Sequence, residues 1–368
     1  MDSSQKNAKD KRVRSVKKNK RRIGSLRDKI ARGSVDVPFL VLTLIILTIG
    51  VLMILSASYA RAYYTSGNPT KYFIKQLVFA FGGVGLMLIT SRIKMSVFQR
   101  FSILLLVAAI LMLALVPIIG VEDNGAKRWI DLKVTTFQPS EIAKLAVILA
   151  FATMACVFGD KMKTFKYGVA PFAAVLLIIA GLLYLEPHLS ATIIVLAIGA
   201  IMMFAGGTKL RWFILLGLAA GAAGFIIIGK MGYAMDRINS WRDPFSDLQG
   251  DGWQIVQSLY AVGSGGFLGL GIGQGRQKYL YLPEEHNDFI FAVLCEELGF
   301  VGAALVLLLF ALLIIRGYWL ALHAKNKYSA LVVTGITSLL ALQVFLNVAV
   351  VTNLVPCTGI SLPFFSYG

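Results

Sequence analysis

The chain has 368 residues, 57% of them hydrophobic and only 15% charged, with a mean hydropathy of +0.74. A soluble domain does not bury that much apolar surface, so the composition excludes soluble classes and indicates an all-α polytopic membrane protein. The formal net charge of +17 is unevenly spread.

Residues 1–34 hold thirteen Lys/Arg against three Asp, so +10 of the charge sits in one tail. That stretch, "KNAKDKRVRSVKKNKRRIGSLRDK", has almost no apolar periodicity, and residues 1–36 are expected to form a basic, disordered cytoplasmic tail ahead of a membrane domain at 37–368. Lying just before the first span, it is read as a topology signal that touches anionic lipid, and not as a nucleic-acid arm. It is too long and polar for a secretory n-region, and the span after it is longer than an h-region, so an uncleaved anchor is expected.

Apolar runs of spanning length follow at about 37–58, 75–92, 100–119, 141–159, 168–185, 189–206, 211–230, 289–315 and 329–350. Each suits the roughly 20 residues a helix needs to cross the hydrocarbon. Nine spans are visible, and a re-entrant or tenth segment is expected to begin near "ISLPFFSYG", where the chain as given stops at Gly368. Alternate loops carry Arg92/Lys94/Arg100, Lys161/Lys163/Lys166, Lys209/Arg211 and Arg316/Lys325/Lys327, with Asp160 the only acid among them. With the basic tail, they place the N-terminus in the cytoplasm.

Two loops on the other side are long. One covers 120–140. The other, about 231–288 between spans seven and eight, is too long for a plain connection. Within it "DGWQIVQSLYAVGSGG" places Ile255, Leu259 and Val262 on one helical stripe and Gln254, Gln257 and Ser258 on another, predicting a short helix lying on the membrane surface. The glycine stretch "GSGGFLGLGIGQGRQK" (263–278) contains neither G-x-G-x-x-G nor G-x-x-x-x-G-K-[ST]. Its glycines suit a tightly turned backbone that projects Arg276, Gln277 and Lys278 toward a site.

The acids of "YLPEEHNDFIFAVLCEELGFVG" (281–302) interrupt an apolar run, where a charge costs roughly 2.5–3.5 kcal/mol. A helix through this region would put Glu284, Asp288 and Glu296 on one side, with Glu296 about 12 Å below Asp288. Glu284 and Glu285 are either solvated loop charges or part of a site. Glu296 and Glu297 either pair with a cation on another helix or line a wet cavity. Asp288, at the mouth, combines access with partial desolvation and suits a general base. The 120–140 loop supplies cations: "AKRWIDL" holds Arg128, and "QPSEIAK" holds Ser140 as an N-cap, with Glu141 and Lys144 three apart on one helix face. Arg128 beside Trp129 is either a ligand contact or an interfacial anchor, and Glu141–Lys144 either a site or a structural pair. In "LEPHLS" (185–190), Pro187 breaks two spans, and Glu186 and His188 are caps or cavity lining. Cys156, Cys295 and Cys357 form no close pair and His188, His286 and His323 are scattered, so neither a disulfide framework nor a zinc site is suggested.

"FQPSEIAKL", "GWQIVQSLYAVGSGGFLGLGIGQGRQKYLYLPEEHNDFIFAVLCEELGFVG" and "TGISLPFFSYG" together resemble the SEDS family of RodA, FtsW and SpoVE, from about residue 37 to the end. "AKRWIDL" and "KYLYLPEEH" lean toward the FtsW/SpoVE branch. The resemblance implies a SEDS-type helical bundle of ten spans and a peptidoglycan glycosyltransferase that polymerises lipid II outside the bacterial cytoplasmic membrane, in division or sporulation. The family's essential aspartate, in an LPE-x-H-T-D-F pattern, falls on Asp288, with Asn287 where Thr is usual; His188 stands where the family often has an aspartate. The implied chemistry is an inverting displacement of undecaprenyl pyrophosphate, with Asp288 as base. Arg128, Lys144, Arg276 and Lys278 are the expected partners of the pyrophosphate, with room for a divalent cation, Mg or Mn. Glu141, Gln257, Gln277, Glu284, His286 and Glu296 complete the expected substrate contacts. The expected partners are lipid II, the lipid-linked glycan and a class B penicillin-binding protein. A lipid II flippase would need polar groups continuing to the inner face, and a non-catalytic scaffold would leave Asp288 unexplained.

Overall fold

The computed structural model describes residues 35–123, 126–131, 136–215 and 252–367, with 217, 218, 221, 238–246, 248 and 250 between them. The chain divides into two compact units, Met1–Leu40 and Val41–Gly368. In the first, the tail expected at 1–34 lies outside the described residues. Asp36 Oδ1 accepts the Phe39 amide at 3.0 Å there, where the first helix begins.

Among the described residues eight helices are long and apolar enough to cross a membrane. With their apolar surfaces and the relatives reported below, they make this a multi-pass membrane protein. The labelled helices are α1 (Val37–Ser66), α2 (Lys71–Thr90), α3 (Met95–Ile119), α4 (Pro139–Phe158), α5 (Ala170–Leu185), α6 (Leu189–Gly206), α7 (Trp253–Gly265), α8 (Ile290–Leu322) and α9 (Lys327–Val351). All but α7 correspond to expected spans. The seventh expected span, 211–230, lies largely outside the described residues.

The core is built around α4, which packs against α3, α6 and α9. Ala143, Ala146, Ala150, Ala152 and Ala155 are fully buried on α4, and such small side chains let neighbouring backbones approach where no hydrophobic force drives helices together in lipid. Phe151 meets Phe172 of α5 edge to face at 4.7 Å. α9 starts on a capped turn, the Asn326 side chain accepting the Ser329 amide at 2.8 Å.

Three expectations are corrected. α4 begins with Pro139 at its first turn and Gln138 as the cap residue, so Ser140 is inside the helix. The 121–137 connection is a small antiparallel sheet in the order β1 (Val121–Asp123), β2 (Ala126–Asp131), β3 (Thr136–Phe137), an exception to the all-helical pattern. The helix expected at the membrane surface forms as α7, but it packs along α8 and buries most of its polar stripe: Gln254 is half-buried, Gln257 is 6% exposed, and fully buried Ser258 donates to the Val351 carbonyl at 2.8 Å.

Candidate active site

Residues 281–289 are turns, and α8 starts only at Ile290, so Glu284 and Asp288 do not share a helix with Glu296 as expected. Glu284 sits at φ 53°, a region non-glycine residues seldom adopt. The turn is held internally: the Asn287 and Phe289 amides donate to the Glu284 carbonyl at 3.0 and 3.2 Å, and Asn287 Nδ2 donates to Glu284 Oε2 at 2.6 Å.

Three consecutive carbonyls of this turn are gripped from the C-terminal side. The Tyr367 amide donates to His286 O at 2.9 Å. Ser366 Oγ donates to Asn287 O at 2.7 Å and accepts the Leu362 amide at the same distance. Asn347 Nδ2, on α9, donates to Asp288 O at 2.8 Å. Residues 352–367, which include the start of the expected re-entrant or tenth segment, form a run of turns and extended chain, and Ser366 and Tyr367 pack onto the Asp288 turn. Asp288 itself is half-buried, with Gly359 against its carboxylate.

Behind Asp288, Glu285 is fully buried and paired with Arg61 of α1 through two 2.8 Å hydrogen bonds. His286 Nδ1 stands 3.7 Å from Glu285 Oε1, and its ring packs at 4.8 Å on Tyr72 and 5.8 Å on Tyr367. Burial pushes the Glu285 carboxyl up, but the neighbouring His286 and the paired Arg61 outweigh it and hold the group below the ordinary carboxylate range. Glu285 is thus neither a solvated loop charge nor free to react. It ties the turn to α1.

The glycine stretch answers for the two acids inside α8. Gly299 leaves helical geometry at φ 65°, ψ −169°, and the backbone groups that the kink frees pair with the loop. The Leu270 and Gly271 amides donate to the Glu296 and Glu297 carbonyls at 3.0 Å each. The Phe300 and Val301 amides donate to Gly266 O and Phe267 O at 2.9 and 3.1 Å. This seam requires glycine: a Cβ at Gly269 (φ 80°) would lie 2.2 Å from Glu297 O. The Glu296 carboxylate, 1% exposed, accepts the Arg276 amide at 2.8 Å and the Gln277 amide at 3.2 Å. Lys278, 2% exposed, donates to Glu297 Oε1 at 2.6 Å and to Ser56 Oγ at 2.9 Å, and Ser56 donates to Glu297 at 2.7 Å. Both acids therefore fasten the loop: Lys278 spends its charge on Glu297 where a ligand cation was expected, and Glu296 holds backbone amides where cavity lining was expected. Gln277 Oε1 is buried without a partner, and the Arg276 side chain is exposed.

The third group lies between the small sheet and the α5–α6 turn. Arg128, half-buried on β2, donates through Nη2 to Pro187 O at 2.6 Å. Lys144 is 2% exposed and donates to Glu141 Oε1 at 2.7 Å, with Glu141 open to solvent on its other side. Gln138 Nε2 stands 3.5 Å from His188 Nε2. Buried atoms without hydrogen-bond partners concentrate here: Arg128 Nε, Ser140 Oγ, His188 Nδ1 and both oxygens of Glu186. Burial pushes the Glu186 carboxyl up to about 8, with Arg128 pulling the other way. Burial, then Arg128 and Lys144, push His188 down to about 3. The turn therefore adds no charge at neutral pH; Lys144 is paired with Glu141, and Arg128 meets the turn through the Pro187 carbonyl.

The expected residues thus fall into three groups: Asp288 with Glu284 and His286, Arg276 and Gln277 on Glu296 with Lys278 on Glu297, and Arg128 with Glu141 and Lys144 near Glu186 and His188. Gln257 lies in the buried stripe of α7. Among the described residues no three His, Cys, Asp or Glu converge closely enough to hold a metal ion. Arg61 and Asn347 were missed in the sequence, although Arg61 is the one charged residue of α1 and Asn347 is, with Gln343, one of two side-chain amides in α9, the signal a buried partner leaves.

A family model described as "Cell cycle protein", covering FtsW, RodA and SpoVE, matches residues 37–368. Stage V sporulation protein E of Bacillus subtilis is 40% identical over 340 residues, 92% of this chain and 93% of that protein. A probable peptidoglycan glycosyltransferase FtsW of Trichlorobacter lovleyi is 36% identical over 93% of this chain and 91% of its own. Among solved structures, a chain from a peptidoglycan synthase complex that coordinates polymerization and crosslinking superposes with a TM-score of 0.70 at 31% identity, covering 88% of this chain and 91% of the other. The rod shape determining protein RodA of Thermus thermophilus, solved as an aspartate-to-alanine mutant, gives 0.66 at 28% identity over 90% and 91%. With its nine-tenths coverage, its helical bundle and the clamped Asp288 turn, the chain belongs to the FtsW/RodA/SpoVE family of cell cycle proteins.

Proposed function

We propose that this protein is a peptidoglycan glycosyltransferase that polymerises lipid II into β-1,4 glycan at the outer face of the bacterial cytoplasmic membrane, with Asp288 as general base. The observation that carries the catalytic assignment is the clamp on the Asp288 turn. Three consecutive carbonyls are held from the C-terminal side while the carboxylate itself is half-buried at the mouth of α8. A base held in one place near the water boundary is what proton transfer requires. In the reaction the acceptor's 4-hydroxyl oxygen forms a bond to the donor's anomeric carbon. The bond from that carbon to undecaprenyl pyrophosphate breaks, the electron pair leaves with the pyrophosphate, and the hydroxyl proton passes to Asp288. Attack opposite the leaving group converts an α linkage to β in one step.

Departing pyrophosphate needs positive charge more than a proton. Arg128 and Arg276 supply it in this reading, while Lys144 is held by Glu141, and Lys278 and Glu296 keep the loop in place. Glu141, Gln277, Glu284 and His286 flank these groups as candidate sugar contacts. The short basic loops support a cytoplasmic N-terminus, with residues 1–36 inside and the loop of about 231–288 outside in this reading. The relative from a synthase complex supports a class B penicillin-binding protein as partner.

The test is polymerisation of fluorescent lipid II by the purified protein with its transpeptidase, products separated by length, beside folded and partner-bound Asp288→Asn. Glycan from wild type and none from Asp288→Asn is expected. Equal product from both removes Asp288 as base, and no product from either, with lipid II instead moved across vesicles, favours transport over polymerisation.

A further inference from the structure

Asn347 is fully buried near the end of α9, and its side-chain amide has both hydrogens engaged: Nδ2 donates to Asp288 O at 2.8 Å and to Ile360 O at 2.6 Å. Its Oδ1 is buried and takes no hydrogen bond. The position therefore uses two donors from one atom, which aspartate when ionised and leucine, of similar shape, both lack.

The two carbonyls come from opposite sides of the site. Asp288 lies two residues before α8; Ile360 belongs to the chain after α9. Bringing both onto one nitrogen lays residue 359 across the Asp288 side chain. A Cβ at Gly359 would lie 2.8 Å from Asp288 Oδ2, and Gly359 adopts φ 59°, so glycine meets both the space and the backbone requirement. The carboxylate is thus confined between its own clamped backbone and the bare face of residue 359.

We propose that Asn347 is the positioning residue for Asp288, its one amide nitrogen holding the Asp288 and Ile360 carbonyls together so that Gly359 confines the carboxylate in its reactive placement. This deepens the general-base reading of Asp288 and rests on it. Asn347 touches no substrate. It acts through where the base stands, so its loss lowers turnover without weakening substrate binding, since a misplacement of about 1 Å costs on the order of a hundredfold in rate.

The experiment compares wild type, Asn347→Leu and Asp288→Asn in lipid II polymerisation with the transpeptidase bound, well below each protein's melting temperature, and resolves kcat from KM. Asn347→Leu is expected to lose about a hundredfold in kcat with KM within about twofold. Retained kcat in Asn347→Leu beside an inactive Asp288→Asn overturns this inference alone. So does a loss in which KM rises in step, as a general loosening of the fold would give. Wild-type kcat in Asp288→Asn overturns the base assignment and the inference with it. If Asn347→Leu does not accumulate folded, Asn347→Ser decides, since it keeps one donor on a shorter arm. Lowered kcat at unchanged KM supports the inference, and wild-type kcat overturns it.

Discussion

Arg61 and Glu285, 224 residues apart in sequence, meet through two parallel hydrogen bonds of 2.8 Å, with the carboxylate fully buried and the guanidinium side chain 27% exposed. The fork geometry is the strong form of this pair, and it joins α1 to the turn that carries Asp288. Removing one partner leaves the other charge buried and unpaired.

Arg61→Leu is therefore expected to destabilise the protein by about 3–5 kcal/mol, while Arg61→Leu with Glu285→Leu recovers most of that loss. Because Glu285 is held below its unfolded value, its contribution is present above about pH 4.3 and is lost as pH falls through the folded value. Thermal unfolding in detergent from pH 3 to 7 checks both points, and an acid-induced loss of equal size in the double variant would contradict them.

Glu186 and His188 have opposite pH signatures. Glu186, pushed up to about 8, stays protonated where the unfolded carboxyl has ionised, so it lowers stability increasingly as pH rises from about 4.3 toward 8. His188, pushed down to about 3, is neutral where the unfolded imidazole is charged, so its cost shrinks as pH rises from about 3 to 6.5. Glu186→Gln is expected to melt near wild type at pH 5 and above it at pH 8. A difference that stays flat over that range would count against the buried carboxyl.

Lys278→Met should separate scaffold from substrate contact. It strands the Glu297 carboxylate, so a loss of stability of about 3–5 kcal/mol is expected with KM for lipid II unchanged in the folded fraction. Arg276→Gln should do the reverse, raising KM at wild-type stability, because the Arg276 side chain is exposed. Melting curves and steady-state kinetics of the two variants decide it, and a raised KM in Lys278→Met would return that lysine to the site.

Glycines in the 263–278 stretch should not be equivalent. Gly269→Ala meets Glu297 O at 2.2 Å from a positive φ, whereas a Cβ at Gly263 meets nothing within 4 Å. Folded yield is expected to drop sharply for Gly269→Ala and little for Gly263→Ala. Equal yields would mean that the seam between loop and α8 is not what the glycines serve.

Gly359→Ala places a methyl 2.8 Å from Asp288 Oδ2 at φ 59°. Polymerisation is expected to fall about a hundredfold at near-unchanged affinity for lipid II. Full activity would show that the carboxylate does not work from this placement.

The sequence by itself determined the membrane class, because apolar runs of spanning length and short basic loops are local properties that no packing can reverse. It located eight spans, with ends off by up to eight residues, and set Glu141 and Lys144 three apart where the structure pairs them. The burial of α7's polar stripe and the turn around Glu284 went unread, since each depends on what lies across from the segment and not on its own pattern. Glu296, Glu297 and Lys278 show the limit most clearly. In sequence they are two acids in an apolar run and a basic residue after a glycine stretch, equally suited to a ligand site. Only the kink at Gly299, which frees backbone groups for the loop to take up, decides that these charges fasten the loop to α8. Arg61 and Asn347 belong to the same lesson. A charge or a side-chain amide in an apolar helix announces that it has a buried partner, but the partner's identity is a matter of which chain crosses it in space, and only the tertiary structure supplies Glu285 and the Asp288 carbonyl.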